Sequence, residues 1–168
     1  MSVKNMFSTK NVQELALLVG DKLSNAGLIA ATAESCTGGG VAYAITEISG
    51  SSQWFDRSFV TYSNSAKTQM LGVDPAIIEK FGAVSPQVVD AMSLGAVKNS
   101  NADIAVAISG IAGPGGGTVE KPVGTVCFAW YNKITGHKTE TRLFAGDRSE
   151  VREQAIRVAL SGLIENIK

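Results

Sequence analysis

Asp103-Ile104-Ala105-Val106-Ala107-Ile108 runs without interruption into Ser109-Gly110-Ile111-Ala112-Gly113-Pro114-Gly115-Gly116-Gly117. The apolar residues from Ile104 to Ile108 do not alternate with polar ones, which is the pattern of a strand buried on both faces. Such a strand belongs to a sheet covered by helices on each side. In sheets of that kind ligands bind at the carboxyl ends of the strands, so the glycine-rich run that follows is placed where function is expected.

The flanking sequence repeats this arrangement. Leu28 to Ala33 is a second short apolar run, and it breaks into Glu34-Ser35-Cys36-Thr37-Gly38-Gly39-Gly40 before Val41 to Ile48, which reads as a helix. Phe55 to Ser63 alternates well enough to be a strand. Asn11 with Glu14 forms a capping box for a first helix that Gly27 closes. Ser63 or Asn64 can cap a short helix carrying Lys67, Met70 and Leu71. Asp74-Pro75 opens a helix through Lys80, and Ser85-Pro86 opens another bearing Val88, Val89, Met92 and Ala96. Val123 to Tyr131 and Lys138 to Ala145 read as a hairpin joined through Thr135-Gly136, and Asp147 with Glu150 caps a last helix reaching Ile167. The expectation is an α/β fold: a three-layer α/β/α sandwich around a mixed, largely parallel sheet. One domain is expected over residues 1–168, with its core from about 10 to 165.

Composition narrows the function classes. At 168 residues and 45% apolar content, with a mean hydropathy of +0.13, the chain can bury a core without disulfides or metals. Lys plus Arg and Asp plus Glu both number 15, so no overall basic field exists to hold a nucleic-acid backbone. Cys36 and Cys127 are too few and too distant for a disulfide framework or a metal cluster, which fits a reducing, cytoplasmic setting. The opening MSVKNMFSTK has no apolar export core, and no run of 18 apolar residues occurs, so neither export nor membrane spanning is expected. The 18 glycines, about 11% against an average near 7%, point to tight loops.

Several catalytic patterns fail. Gly110 to Gly115 has the glycine spacing of a phosphate-binding P-loop, but Gly116 stands where the lysine belongs and a strand follows. No dinucleotide fingerprint, nucleophile elbow or S-x-x-K pattern occurs. His137, the single histidine, lies beside a hairpin turn and is poorly placed for a Ser-His-Asp triad. Without histidine pairs or cysteine clusters, no protein-built metal site is expected.

A serine activated by lysine remains. Ser35 precedes a helix, where the backbone N–H groups of Cys36, Thr37, Gly38 and Gly39 and the helix dipole can receive an oxyanion. The alternative is that Ser35 is an ordinary N-cap. Lys67 sits in the first turn of its helix, where the dipole disfavours its charge, but only burial would lower its pKa enough for a base. The alternative is a solvated surface lysine. Tyr62 can orient either group, or pack as a strand residue. Arg148 and Arg152 lie on one face at the start of the last helix, where an anion such as a phosphate would turn an unfavourable position into a favourable one. They can equally be surface residues neutralised by Asp147 and Glu150. The Ser109–Gly117 loop, with Ser109, Gly110 and Gly113, can aim N–H groups at the same anion, or be a flexible connector.

Six segments taken together carry a resemblance: Ala33-Glu34-Ser35-Cys36-Thr37-Gly38-Gly39, Phe59 to Lys67, Gly82-Ala83-Val84-Ser85, Ser109 to Pro114, Lys121 to Val126 and Gly146-Asp147-Arg148. In this order the chain resembles the C-terminal domain family of the competence-damage protein CinA, and more narrowly its stand-alone PncC type, the nicotinamide-nucleotide amidohydrolases. The resemblance implies deamidation of nicotinamide mononucleotide to nicotinate mononucleotide and ammonia, a step of pyridine-nucleotide recycling. It also implies Ser35 as nucleophile, Lys67 as its base, no metal or organic cofactor, and a homodimer or larger homo-oligomer. The length is expected to leave no room for the N-terminal domain of full-length CinA proteins. Two other readings stay open: a catalytically silent nucleotide-binding or regulatory module of this fold, and an amidase or peptidase of different substrate without the phosphate site.

Overall fold

A computed structural model describes residues 7–168; the polar start of the chain, residues 1–6, lies outside the described residues. Five strands form one sheet: β1 (Ala30–Glu34), β2 (Phe55–Val60), β3 (Ile104–Gly110), β4 (Thr125–Asn132) and β5 (Gly136–Leu143), in the order β2-β1-β3-β4-β5. β2, β1 and β3 run parallel, while β4 and β5 are antiparallel additions, so the sheet is mixed as expected and its parallel part is the first half. The helices are α1 (Val12–Ala26), α2 (Gly40–Thr46), α3 (Asn64–Leu71), α4 (Pro75–Phe81), α5 (Pro86–Lys98) and α6 (Arg148–Asn166).

Two apolar layers sandwich the sheet. Leu15, Val19 and Leu23 of α1, Val41 and Ile45 of α2, and Val151, Leu160 and Leu163 of α6 pack on Ile104, Val106, Ile108, Phe128 and Trp130. On the opposite face Leu71, Ile78, Val88, Val89 and Met92 cover Ala31, Ala33, Ala105, Ala107 and Ala129. Alternate residues of each strand face opposite layers, which is why β1 and the Ile104–Ile108 part of β3 are buried on both faces and mainly apolar, Thr32 and Glu34 of β1 being buried polar exceptions. The small alanines of the second face let α5 lie close to the sheet.

The local signals act where the sequence places them. Asn11 and Asp147 each form a capping box, and Gly27 closes α1 at φ 65°, a conformation that favours glycine. Ser63, Asp74 and Ser85 cap α3, α4 and α5. Several boundaries differ from expectation: β4 and β5 span Thr125–Asn132 and Gly136–Leu143 rather than Val123–Tyr131 and Lys138–Ala145, so Gly136 is a strand residue and not part of the turn, and α2 ends at Thr46 rather than Ile48. Strand β2 stops at Val60 rather than Ser63, because its ladder with β1 ends at Glu34, whose carbonyl accepts the Thr61 N–H at 2.8 Å before the chain turns away. Ser109 and Gly110 belong to strand β3, not to the loop, because the β4 ladder continues through Cys127 and Val126.

Candidate active site

At the carboxyl end of β1 the chain enters the Ser35–Gly39 loop, and at the carboxyl end of β2 it turns through Thr61 into α3. Because β1 and β2 are parallel neighbours, the two turns open side by side. Lys67 points back from α3 into the gap, with Nζ donating to Ser35 Oγ at 3.1 Å and to the Thr61 carbonyl at 2.8 Å. It is 1% exposed and Ser35 is 8% exposed, so neither the solvated-lysine reading nor the N-cap reading describes them. The N-cap position of α2 falls on Gly39, five residues from the end of β1.

Burial pushes the Lys67 pKa below its ordinary 10.5, with Cys36 opposing the shift. Desolvation pushes the Cys36 thiol up to about 11, so near neutrality it is uncharged and that opposition is weak. A buried lysine without a carboxylate partner favours its neutral form, which is what a general base requires. Close packing holds α3 in place: a Cβ added to Gly95 of α5 would collide with the Leu71 carbonyl of α3. No sequence pattern around Lys67 announces that packing.

Glu34 has the role that the sequence reading did not give it. The carboxylate is completely buried, and it accepts from Thr37 Oγ1 at 2.7 Å, from the N–H groups of Val41 and Ala42 at 2.9 and 3.0 Å, and from Thr32 and Ser58 hydroxyls. It therefore occupies the N-terminus of α2, where an anion is favoured. The Val41 and Ala42 amides of α2 are thus taken, whereas the amides expected to receive an oxyanion are those of Cys36 to Gly39. The Gly38 amide is also engaged, donating to the Ser35 carbonyl at 3.0 Å, whereas the Cys36, Thr37 and Gly39 amides have no acceptor among the described residues. The available signal was a carboxylate closing an apolar strand a few residues before a helix.

The other predicted residues gather around this centre. Tyr62 is 61% exposed, and its hydroxyl accepts from Arg148 Nη2 at 3.1 Å rather than from either member of the dyad; the Thr61 carbonyl orients Lys67 instead. Arg148 also donates through Nη1 to the Gly113 carbonyl at 2.9 Å, so it reaches the glycine loop within its own chain. Gly113 therefore offers Arg148 its carbonyl oxygen, with φ at 84°. Arg152, expected beside Arg148, turns to the Ser35–Gly39 loop, where Nε donates to the Cys36 carbonyl at 3.1 Å and Nη2 to that of Thr37 at 3.2 Å. Ala112, Pro114, Val123, Arg148 and Arg152 line a cleft of about 560 Å³ over this end of α6. Among the described residues no group of three or more His, Cys, Asp and Glu side chains is arranged to hold a metal, and no helix is long and apolar enough to cross a membrane.

Comparison with known proteins follows the same outline. The chain is 50% identical over 163 residues to the nicotinamide-nucleotide amidohydrolase PncC of Enterobacter agglomerans, covering 95% of this chain and 99% of that protein. It is 53% identical over 152 residues to the protein of the same name from Escherichia coli strain K12, covering 90% and 92%. The crystal structure of the competence/damage inducible protein CihA from Agrobacterium tumefaciens superposes with a TM-score of 0.90 at 46% identity, covering 93% of this chain and 95% of that one. The family model of the CinA C-terminal domain matches residues 12–167. With that match over nearly its whole length, the chain belongs to the CinA C-terminal domain family.

Proposed function

We propose that the protein is a nicotinamide-nucleotide amidase that converts nicotinamide mononucleotide and water into nicotinate mononucleotide and ammonia, with Ser35 as nucleophile and Lys67 as general base. The observation that carries the mechanism is the 3.1 Å contact between Lys67 Nζ and Ser35 Oγ in a site where the lysine is buried without a counter-charge. The names of the amidohydrolases that share half of its sequence support the substrate.

Neutral Lys67 takes the Ser35 proton, and the alkoxide attacks the carboxamide carbon. The oxyanion is received by the loop amides left without protein acceptors, of which Cys36 is next to the nucleophile. The lysine ammonium then returns the proton to the departing ammonia. Water attacks the acyl-enzyme with Lys67 again as base, releasing the carboxylate and regenerating Ser35. The phosphate is held at the cleft where Arg148 meets the glycine loop, which gives the enzyme its preference for a nucleotide. Carboxylate product of this kind can re-enter pyridine-nucleotide synthesis, which makes recycling the metabolic setting.

The test is ammonia release from nicotinamide mononucleotide by the purified protein. Wild type releases ammonia and Ser35→Ala does not. Equal, background-level release by both would overturn the reading and favour a nucleotide-binding module without chemistry.

A further inference from the structure

Arg152 and Glu34 grip the nucleophile loop from two sides. From α6, the Arg152 guanidinium binds the carbonyl oxygens of Cys36 and Thr37. The Glu34 carboxylate binds the Thr37 hydroxyl and the first α2 amides. Thr37, which no solvent reaches, is the residue both charges share.

We infer that Arg152, working against Glu34, is a positioning residue that fixes the peptide orientations around Ser35, an inference that rests on the Ser35–Lys67 reading above. In a planar trans peptide the C=O and the following N–H point in opposite directions. Holding the Cys36 and Thr37 carbonyls against α6 therefore turns both oxygens away from the place where negative charge develops on the substrate. A carbonyl oxygen facing that charge would repel it, whereas an amide facing it is stabilising. The loop has the freedom to make this error, because Gly38 and Gly39 both hold positive φ, at 58° and 96°, and glycine passes between such conformations at little cost. A bound guanidinium also polarises the peptide units it grips, which strengthens the free Thr37 donor; the other N–H of those units, Gly38's, already donates to the Ser35 carbonyl.

The arrangement separates the two arginines of α6. Arg148 donates to Tyr62 and Gly113 at the rim of the cleft, while Arg152 is committed to backbone oxygens and leaves the phosphate to its neighbour. A site built this way loses turnover, not substrate affinity, when Arg152 is altered.

The decisive experiment compares wild type, Arg152→Gln and Arg152→Lys in three measurements and adds a rescue test on Arg152→Ala. Steady-state turnover of nicotinamide mononucleotide is expected to fall about 100-fold in Arg152→Gln, the loss typical of a misplaced reacting group, and less in Arg152→Lys. Affinity for the same nucleotide, measured by calorimetry with Ser35→Ala added to each protein, is expected to change less than about twofold. Hydrogen exchange of the Gly38 and Gly40 amides, which donate to the Ser35 and Thr37 carbonyls, is expected to quicken in Arg152→Gln while the α5 and β3 amides stay protected. Adding guanidinium at millimolar concentration to Arg152→Ala should restore part of the lost turnover. Unchanged turnover and exchange, or equal losses of turnover and affinity, would overturn the assignment, the second result making Arg152 a substrate ligand. If wild type releases no ammonia, the amidase reading falls by itself, and the exchange comparison still decides whether Arg152 holds the loop. If Arg152→Gln does not fold, Arg152→Lys turnover and exchange decide in its place.

Discussion

Lys67 Nζ lies 3.1 Å from Ser35 Oγ although the two residues are 32 positions apart, one in a loop after β1 and the other on a helix after β2. They meet because parallel strands in register deliver both turns to the same edge of the sheet. In the proposed mechanism the pair shares one proton, so its members should fail together. Ser35→Ala and Lys67→Ala are each expected to lower turnover at least about 10³-fold, and the double variant to be little worse than either. Multiplying losses in a double-mutant cycle would separate the two residues mechanistically.

Burial lowers the Lys67 pKa from 10.5, and in the proposed mechanism the reacting form is the neutral amine, so turnover should rise with pH through that lowered value. The same shift has a signed effect on stability. Between the folded pKa and 10.5 the unfolded chain binds a proton that the folded chain does not, so stability rises with pH in that window and falls as pH drops through it. A Lys67→Met variant should lack this slope, which amounts to at most about 1.4 kcal/mol per pH unit. Urea titrations of both proteins across that range measure the difference directly.

Thr61 acts through its backbone. The carbonyl accepts from Lys67, whereas the buried side-chain Oγ1 has no hydrogen-bond partner among the described residues. Replacing that hydroxyl with a methyl in Thr61→Val removes an unpaired buried polar atom at nearly constant shape. We expect a stability gain of about 1 kcal/mol with turnover retained. A loss of activity at unchanged stability would assign the hydroxyl a chemical task.

Cys36 adjoins Ser35, the proposed nucleophile, yet its thiol pKa of about 11 keeps it protonated near neutrality. Iodoacetamide should therefore modify it slowly at pH 7 and faster only in strongly alkaline solution. Cys36→Ala should keep most activity while Ser35→Ala loses it. The opposite ranking would make the cysteine the nucleophile.

Arg148 joins the Tyr62 hydroxyl to the glycine loop at Gly113. If it holds the phosphate, nicotinamide riboside and free nicotinamide should be turned over far more slowly than the mononucleotide, because remote binding energy positions the amide. Arg148→Ala should then weaken turnover of the mononucleotide about 100-fold or more and barely alter the residual rate on the riboside. Equal impairment on both substrates would give Arg148 a structural role instead.

The amino-acid sequence by itself determined the elements and their order. The unbroken apolar run Ile104–Ile108 and the mainly apolar stretch Leu28–Ala33 read as strands covered on both faces, and the Asn11, Ser63, Ser85 and Asp147 caps act locally, within one turn of their own helix. The glycine-rich loops after β1 and β3 were legible for the same reason, since connections at strand ends follow from strand placement. Tertiary structure alone decided the chemistry of the site. Whether Lys67 is a solvated cation or a buried base depends on the sheet edge and on α5 packing against α3 through Gly95, and no local pattern encodes that environment. The same holds for Glu34, whose partners come from β1, β2 and α2, and for the divergence of Arg148 from Arg152, four residues apart on one helix. Local hydrogen bonds are set by neighbours in the chain; desolvation and long-range partners exist only once the sheet has brought distant segments together.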